Sequence, residues 1–238
     1  MNDKIEQLRS MIDKSSKIVF FGGAGVSTES GIPDFRSVDG LYSQKYKYPP
    51  EAILSGSFFS ENPEEFYKFY RDKLVLHDVS PNAAHYRLAR LEAEGKLSAV
   101  ITQNIDGLHQ AAGSKNVFEL HGTVHRLYCS KCYKPVSESI IEETTGVPHC
   151  SCGGVIRPDV VLYEESLDQG VIAGAVKALS DCDMLIIGGT SLVVYPAAGL
   201  IRYYHGDRLV LINRDPTPAD SRANLVIHEK IGEVFSQI

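Results

Sequence analysis

A chain of 238 residues with 24 Lys and Arg against 30 Asp and Glu has a formal net charge of −6 and an isoelectric point near 5.8. With 43% hydrophobic and 23% charged residues it has the composition of a folded protein with one large or two small domains, not of a disordered chain. The acidic balance argues against a nucleic-acid binder. With no run of about 18 apolar residues and no apolar h-region in the opening residues, a soluble cytoplasmic protein without membrane contact is expected.

Ile5, Leu8, Met11 and Ile12 recur at helical spacing and predict an amphipathic helix over residues 3–14. Lys17-Ile-Val-Phe-Phe21 then reads as a strand running into Gly22-Gly-Ala-Gly-Val-Ser-Thr28. A strand, a glycine turn and a following helix form a unit whose amides can face an anionic ligand. The third glycine of a dinucleotide fingerprint would fall at position 28, where Thr28 stands. Periodicity lapses after Ser30-Gly-Ile-Pro-Asp-Phe-Arg36 until about residue 60. That stretch of aromatics and prolines (Tyr42, Tyr46, Tyr48, Pro49, Pro50) reads as a structureless lid or binding loop. Asn62 as N-cap and Pro63 at N1 open a helix lined by Phe66, Phe69, Tyr70 and Leu74. Another helix starts at Ser80-Pro81, carries Ala84, Leu88 and Leu91, and stops at Gly95.

Two short buried strands follow, 98–102 and 117–120. The first breaks into Gln103, Asn104 and Asp106, the second into His121-Gly122. A cysteine segment (127–156), a strand (157–163), a helix (167–179) and a strand (183–187) lead to Gly188-Gly-Thr-Ser191. A helix (196–204), a strand (208–212) ending in Asn213 and a strand at 225–227 complete the chain. This alternation predicts an α/β protein with a doubly wound, Rossmann-like parallel sheet of about six strands. The polar motifs all follow strands, so in a parallel sheet they converge on the carboxyl rim, where ligands bind. The rim then offers a neutral hydrogen-bonding pair (Gln103, Asn104), an acid (Asp106) and an imidazole (His121) with the pKa of a general base. His109 and His125 are the local competitors for that role. Asn104 and Asp106 can also cap the helix beginning near Asp106, and Asp34 and Arg36 can form a surface ion pair.

Cys129-Ser-Lys-Cys132 and Cys150-Ser-Cys152 have the spacing of a structural zinc ribbon, whose four thiolates close the metal to substrate. His149 is an alternative ligand beside the tighter second pair, and Cys182 reads as a lone core thiol.

With these motifs in place, the chain resembles the sirtuins, NAD-dependent protein deacylases, over essentially its whole length. Gly23-Ala-Gly-Val-Ser27 followed by Ser30-Gly-Ile-Pro-Asp-Phe-Arg36 looks like their nucleotide-loop signature. Thr102-Gln-Asn-Ile-Asp106 is similar to their nicotinamide-pocket motif, and Leu120-His-Gly122 to their catalytic histidine motif. The cysteine ribbon, Gly189-Thr-Ser-Leu192 and Ile212-Asn213 match further family positions.

The resemblance implies an NAD-dependent protein lysine deacetylase, in which the acyl oxygen attacks the ribose carbon as nicotinamide leaves. His121 then serves as base on the ribose hydroxyls, giving free lysine and O-acyl-ADP-ribose. It places Ala24, Gly25 and Thr28 near the phosphates, and Phe35 and Arg36 at the reactive ribose. Gln103, Asn104, Ile105 and Asp106 belong to the nicotinamide pocket, and Thr190, Ser191, Asn213 and the backbone near Ile231 to the adenosine half. One Zn2+ is expected on Cys129, Cys132, Cys150 and Cys152. An acetyl-lysine peptide is expected as an added strand beside Asp159, Val160, Val161 and Leu162. Residues 1–36, 80–123 and 157–238 would form the NAD-binding domain, 37–79 a lid loop and helical insert, and 124–156 the zinc-ribbon insert.

Three positions depart from the family pattern. Gly22 stands where threonine is frequent. Glu164 follows Leu-Tyr where glycine is common, and its charge is expected to favour basic flanks in the substrate. Tyr67-Lys-Phe-Tyr70 lacks the arginine of the Tyr-x-x-Arg found in members selective for acidic acyl groups, so acetyl or apolar acyl groups are expected over succinyl. The alternatives are an ADP-ribosyl transferase using the same pocket without a histidine base and a non-catalytic NAD- or zinc-dependent binding module.

Overall fold

The computed structural model describes residues 2–35, 40–41 and 46–238. Among these, nine strands follow in chain order: β1 (Ile18–Gly22), β2 (Leu97–Thr102), β3 (Val117–Glu119), β4 (Gly122–Cys129), β5 (Pro135–Val136), β6 (Ile156–Val160), β7 (Met184–Gly188), β8 (Leu209–Ile212) and β9 (Leu225–Ile227). Six of them form one sheet in the order β3-β2-β1-β7-β8-β9, parallel at every pairing. The chain winds outward from β1 through β2 to β3, then returns to the other side of β1 for β7, β8 and β9. That reversal puts a switch point at the carboxyl ends of β1 and β7, the place where such sheets open a crevice.

β1 and β7 are buried at every residue, which is why they read as unbroken apolar runs. Successive side chains leave a strand on opposite faces. Ile18 and Phe20 therefore pack with Ile5 and Leu8 of the first helix (Asn2–Asp13) and with Leu88 and Leu91 of the helix Ala83–Ala93. Val19 and Phe21 pack on the other side with Ala175 and Leu179 of the helix Gln169–Asp181.

A second, antiparallel sheet in the order β5-β4-β6 carries the cysteines. It shares a third core with the helix Pro63–Lys73, in which Phe66, Tyr67, Phe69 and Tyr70 pack on Val124, Leu127, Ile156 and Val160. Phe66 and Tyr67 meet edge to face at 5.4 Å. The Tyr67 hydroxyl donates to Ile156 O, and that of Tyr70 to Val124 O at 3.4 Å.

Several elements differ from the sequence expectation. The stretch before residue 60 is not structureless, since it holds the short helices Pro50–Ile53 and Gly56–Glu61. Each is under two turns, too short for a 3.6-residue pattern to emerge. The helix expected from Ser80 starts at Ala83, because Asn82 takes the N-cap and accepts from Ala84 N at 3.0 Å. The strand expected over 157–163 is β6, which pairs with β4 outside the parallel sheet. Residues 196–204 form a 3-10 segment, Ala197–Tyr203. Among the described residues no helix is long and apolar enough to cross a membrane.

Candidate active site

The glycine turn after β1 meets the turn after β7 backbone to backbone. Gly25 N donates to Gly189 O at 2.8 Å, and a Cβ on Gly25 would lie 2.8 Å from Gly189 Cα. Any side chain there would push the two turns apart, so this glycine is required by packing. The same approach does not extend to Thr28, which is exposed and whose hydroxyl donates back to Gly25 O at 3.1 Å. Gln103, at the end of β2, donates through Nε2 to Thr190 Oγ1 at 3.0 Å. The ends of β1, β2 and β7 are thereby tied into one rim.

Behind that tie lies a buried polar chain. Asn104 Nδ2 donates to Ser27 Oγ at 3.0 Å, and Ser27 Oγ donates to Asp106 Oδ2 at 2.6 Å. The other carboxylate oxygen of Asp106 accepts from Leu108 N at 3.0 Å, so this acid bonds the first amide of the one-turn helix Leu108–Ala111 from the position before its N-cap, Gly107, while standing at the rim. Ser27 was not singled out from the sequence. A serine in a glycine turn is ordinarily a turn residue, and only the strand order brings it against residues of the next βα connection.

His121 follows β3 and is half-buried. Its Nδ1 lies 2.9 Å from Gln103 O. A carbonyl oxygen only accepts, so Nδ1 carries the proton and Nε2 keeps its lone pair. Burial lowers the pKa of this imidazole, and the bond to Gln103 opposes that shift. Gly122 has φ +72, and a Cβ there would fall 2.0 Å from Asp159 O. The His-Gly pair is thus fixed by the crossing of β4 onto β6, and Val161 N donates to His121 O at 2.9 Å.

The competing histidines stand elsewhere. His109 is deep in the core, 4.7 Å from the ring of His85 and 6.0 Å from that of Phe20, and burial drives its pKa to about 3. His125 braces the loop from behind, with Nε2 3.0 Å from Asp106 O and Nδ1 3.2 Å from Glu138.

Asn213 ends β8, with its amide on Ile227 O at 3.1 Å and Nδ2 on Asp215 O at 2.7 Å. Thr190 is buried and Ser191 exposed on the turn after β7. Ala24 and Gly25 are half-buried in the first turn. The Ile231 side chain is core, packed where a Cβ on Gly188 would lie, so only its backbone is offered. Phe35 and Ile105 each pack against the third core. Arg36 and Tyr42 lie outside the described residues.

The four thiols of Cys129, Cys132, Cys150 and Cys152 fall within 4.8 Å of one another. Two of the Sγ···Sγ distances are 3.5 Å (Cys129 to Cys152) and 3.8 Å (Cys132 to Cys150). A tetrahedron with Zn–S bonds near 2.3 Å has edges of about 3.8 Å, so the donor set fits a closed structural zinc site. Lys131 N and Cys132 N both point at Cys129 Sγ, the backbone support a thiolate ligand needs. His149 is not part of this group, and Cys182 is a buried thiol bonded to Leu179 O.

A parallel sheet in this order, with amide, carboxylate and imidazole groups at its switch point and a four-thiol cluster on a second sheet, defines a Rossmann-like α/β protein with an inserted metal-ribbon module. A family model described as the Sir2 family matches residues 23–196. The chain belongs to the Sir2 family. It is 60% identical over 242 residues to an NAD-dependent protein deacetylase of Clostridium perfringens, covering 100% of this chain and 99% of that one. A protein of the same description from Clostridium acetobutylicum is 58% identical over 240 residues, covering 99% and 98%. Among solved structures, "Sir2-p53 peptide-NAD+" is similar with a TM-score of 0.87, 40% identity and coverage of 98% and 96%. "Sir2 bound to acetylated peptide" is similar with a TM-score of 0.88, 38% identity and the same coverage.

Proposed function

We propose that this chain is an NAD-dependent protein lysine deacetylase that transfers the acetyl group of acetyl-lysine to ADP-ribose and releases nicotinamide. The observation carrying this reading is the state of His121. Its Nδ1 is committed to Gln103 O, so Nε2 is available as a base on the rim that also holds Asn104 and Asp106. The relatives' shared description and the neighbouring structures with NAD+ and acetylated peptide support it.

Bound NAD supplies an electrophilic ribose carbon with nicotinamide as its leaving group. Ala24, Gly25 and Thr28 would line the phosphates, and Phe35 and Arg36 the reactive ribose. Gln103, Asn104, Ile105 and Asp106 would form the nicotinamide pocket, with Asp106 meeting the carboxamide. Thr190, Ser191, Asn213 and the Ile231 backbone would meet the adenosine half. His121 Nε2 would take the proton of a ribose hydroxyl. Cys129, Cys132, Cys150 and Cys152 would hold one zinc ion with an architectural role.

The peptide would add as a strand along Asp159, Val160, Val161 and Leu162. In support, β6 is the outer strand of its sheet, paired with β4 alone among the described strands. Tyr70 occupies the position of the acid-recognising arginine, and it is buried. The neighbouring Arg71 is committed to Ile141 O and Thr144 O, so acetyl is favoured over succinyl. A division into an NAD-binding domain (1–36, 80–123, 157–238), a helical insert (37–79) and a zinc-ribbon insert (124–156) fits the presence of two separate sheets, except that β6 pairs with β4 and so goes with the second sheet. A cytoplasmic location suits thiolate metal ligands.

The test is incubation with an acetyl-lysine peptide with and without NAD, following both products by mass spectrometry. Equal amounts of nicotinamide and deacetylated peptide, formed only with NAD, are expected. Nicotinamide release with the peptide acetyl group retained would favour ADP-ribosyl transfer instead.

A further inference from the structure

The turn between Gly23 and Gly31 has little structure of its own, being two three-residue 3-10 pieces, Ala24–Val26 and Thr28–Ser30. Such pieces hold few, poorly aligned bonds, so the shape of this turn depends on what grips it from outside. Two grips belong to the site already described: the Gly25 amide on Gly189 O and the Ser27 hydroxyl on Asp106. Of the further ones, Glu29 Oε2 accepts from Gly232 N at 2.6 Å, and another comes from a residue with no place in the mechanism. Asn82 Nδ2 donates to Val26 O at 2.7 Å and to Ser30 Oγ at 3.0 Å.

The same side chain caps the helix Ala83–Ala93, its Oδ1 accepting from Ala84 N at 3.0 Å. Its own backbone amide donates to His85 Nδ1 at 3.2 Å, which completes a capping box. The helix start is rigid because Ala84, His85 and Leu88 are fully buried. A carboxamide offers an acceptor and two donors in one plane. Asp would give the cap alone, and Ser a hydroxyl one atom shorter.

We propose that Asn82 is a positioning residue for the nucleotide. It couples the first turn of a core helix to the turn at residues 26–30, and holds that turn in the shape that receives the dinucleotide phosphates. This rests on the deacetylase reading, and two variants separate it from a plain capping role.

Asn82→Ser keeps a good cap acceptor and adds no charge near the phosphates. It is expected to melt close to the parent protein. Its KM for NAD should rise roughly fivefold, the equivalent of one lost hydrogen bond of about 1 kcal/mol, while its KM for acetyl peptide stays unchanged. Amide hydrogen exchange at residues 24–30 of the ligand-free protein should quicken. Asn82→Ala should show the same rise in KM together with a lower melting temperature. If Asn82→Ser matches the parent in both NAD KM and exchange, Asn82 is a helix cap only and the proposal falls. If the parent itself does not turn over NAD, the deacetylase reading fails. The exchange comparison then still decides the tether, unchanged exchange overturning it.

Discussion

Ser27 Oγ lies 2.6 Å from Asp106 Oδ2, joining the turn after β1 to the loop after β2 inside a pocket from which water is largely excluded. Ser27 also accepts from Asn104, so one hydroxyl meets both Asn104 and Asp106 of the expected nicotinamide pocket. Among the described residues, the Asp106 carboxylate accepts from Ser27 Oγ and from Leu108 N. Removing either leaves a buried carboxylate oxygen without that partner.

Ser27→Ala should therefore lower kcat/KM for NAD by roughly 10- to 100-fold, since a hydrogen bond to a charged group contributes about 1.5–3 kcal/mol. Steady-state nicotinamide release measures it. A variant with parental kcat/KM would mean that the carboxylate keeps its position without this hydroxyl.

His121 should set the acid limb of the pH–rate profile. Burial disfavours the imidazolium, so the base form persists to lower pH than for a free imidazole. Activity is lost as the pH falls through the folded pKa, and that inflection is expected below 6.5. His121→Ala should abolish turnover. An inflection clearly above 6.5 in kcat/KM would contradict this assignment.

The edge-to-face pair His85 and His109 should make the fold acid-labile. Burial takes the pKa of His85 to about 4, partly offset by the charge of Asp106, and that of His109 to about 3. An unfolded imidazole titrates near 6.5, so between these limits the unfolded chain binds more protons and stability rises with pH. Stability is fully present above about 6.5 and is lost as pH falls toward 4 and then 3. At about 1.4 kcal/mol per pH unit and group, each histidine should lose roughly 2 kcal/mol by pH 5. Denaturant unfolding at pH 7.5 and 5 measures the slope, which His109→Leu should flatten. An unchanged slope in that variant would show that the acid response arises elsewhere.

Chelation, or Cys132→Ser, should release zinc and loosen the third core, because Cys129 packs directly among Leu127, Ile156 and the aromatic helix. Metal analysis and limited proteolysis between residues 124 and 156 give the readout. Retention of one zinc per chain after Cys132→Ser would remove that cysteine from the ligand set.

Glu164 holds φ +76, and its carboxylate accepts from Ser57 N at 3.0 Å and Ser57 Oγ at 3.1 Å. Those bonds fix where the charge stands beside Tyr163 and the end of β6 without neutralising it. Glu164→Gly relieves a left-handed strain of about 1 kcal/mol and gives up two exposed bonds, so stability should change little. Peptide-array turnover should show a reduced preference for basic flanks. An unaltered preference would mean that the charge does not reach the peptide.

The sequence by itself determined the parallel sheet, the rim motifs and the thiol cluster, because each is a local pattern. Apolar runs such as Lys17-Ile-Val-Phe-Phe21 stop in glycines or amides at strand ends, and the cysteine spacing admits few geometries. It could not show that the strand at 157–163 leaves the parallel sheet for β4, since alternation in a strand says nothing about its partner. Nor could it show the helix Gly56–Glu61, which is too short to display a period, or place the start of the next helix at Ala83. Only the tertiary structure decided which nitrogen of His121 remains free, which histidines are core, that Ser27 bonds Asp106, and that Asn82 bonds Val26 O and Ser30 Oγ. Those facts are contacts between residues far apart in the chain. They are fixed by strand order and helix docking, which no window of sequence contains.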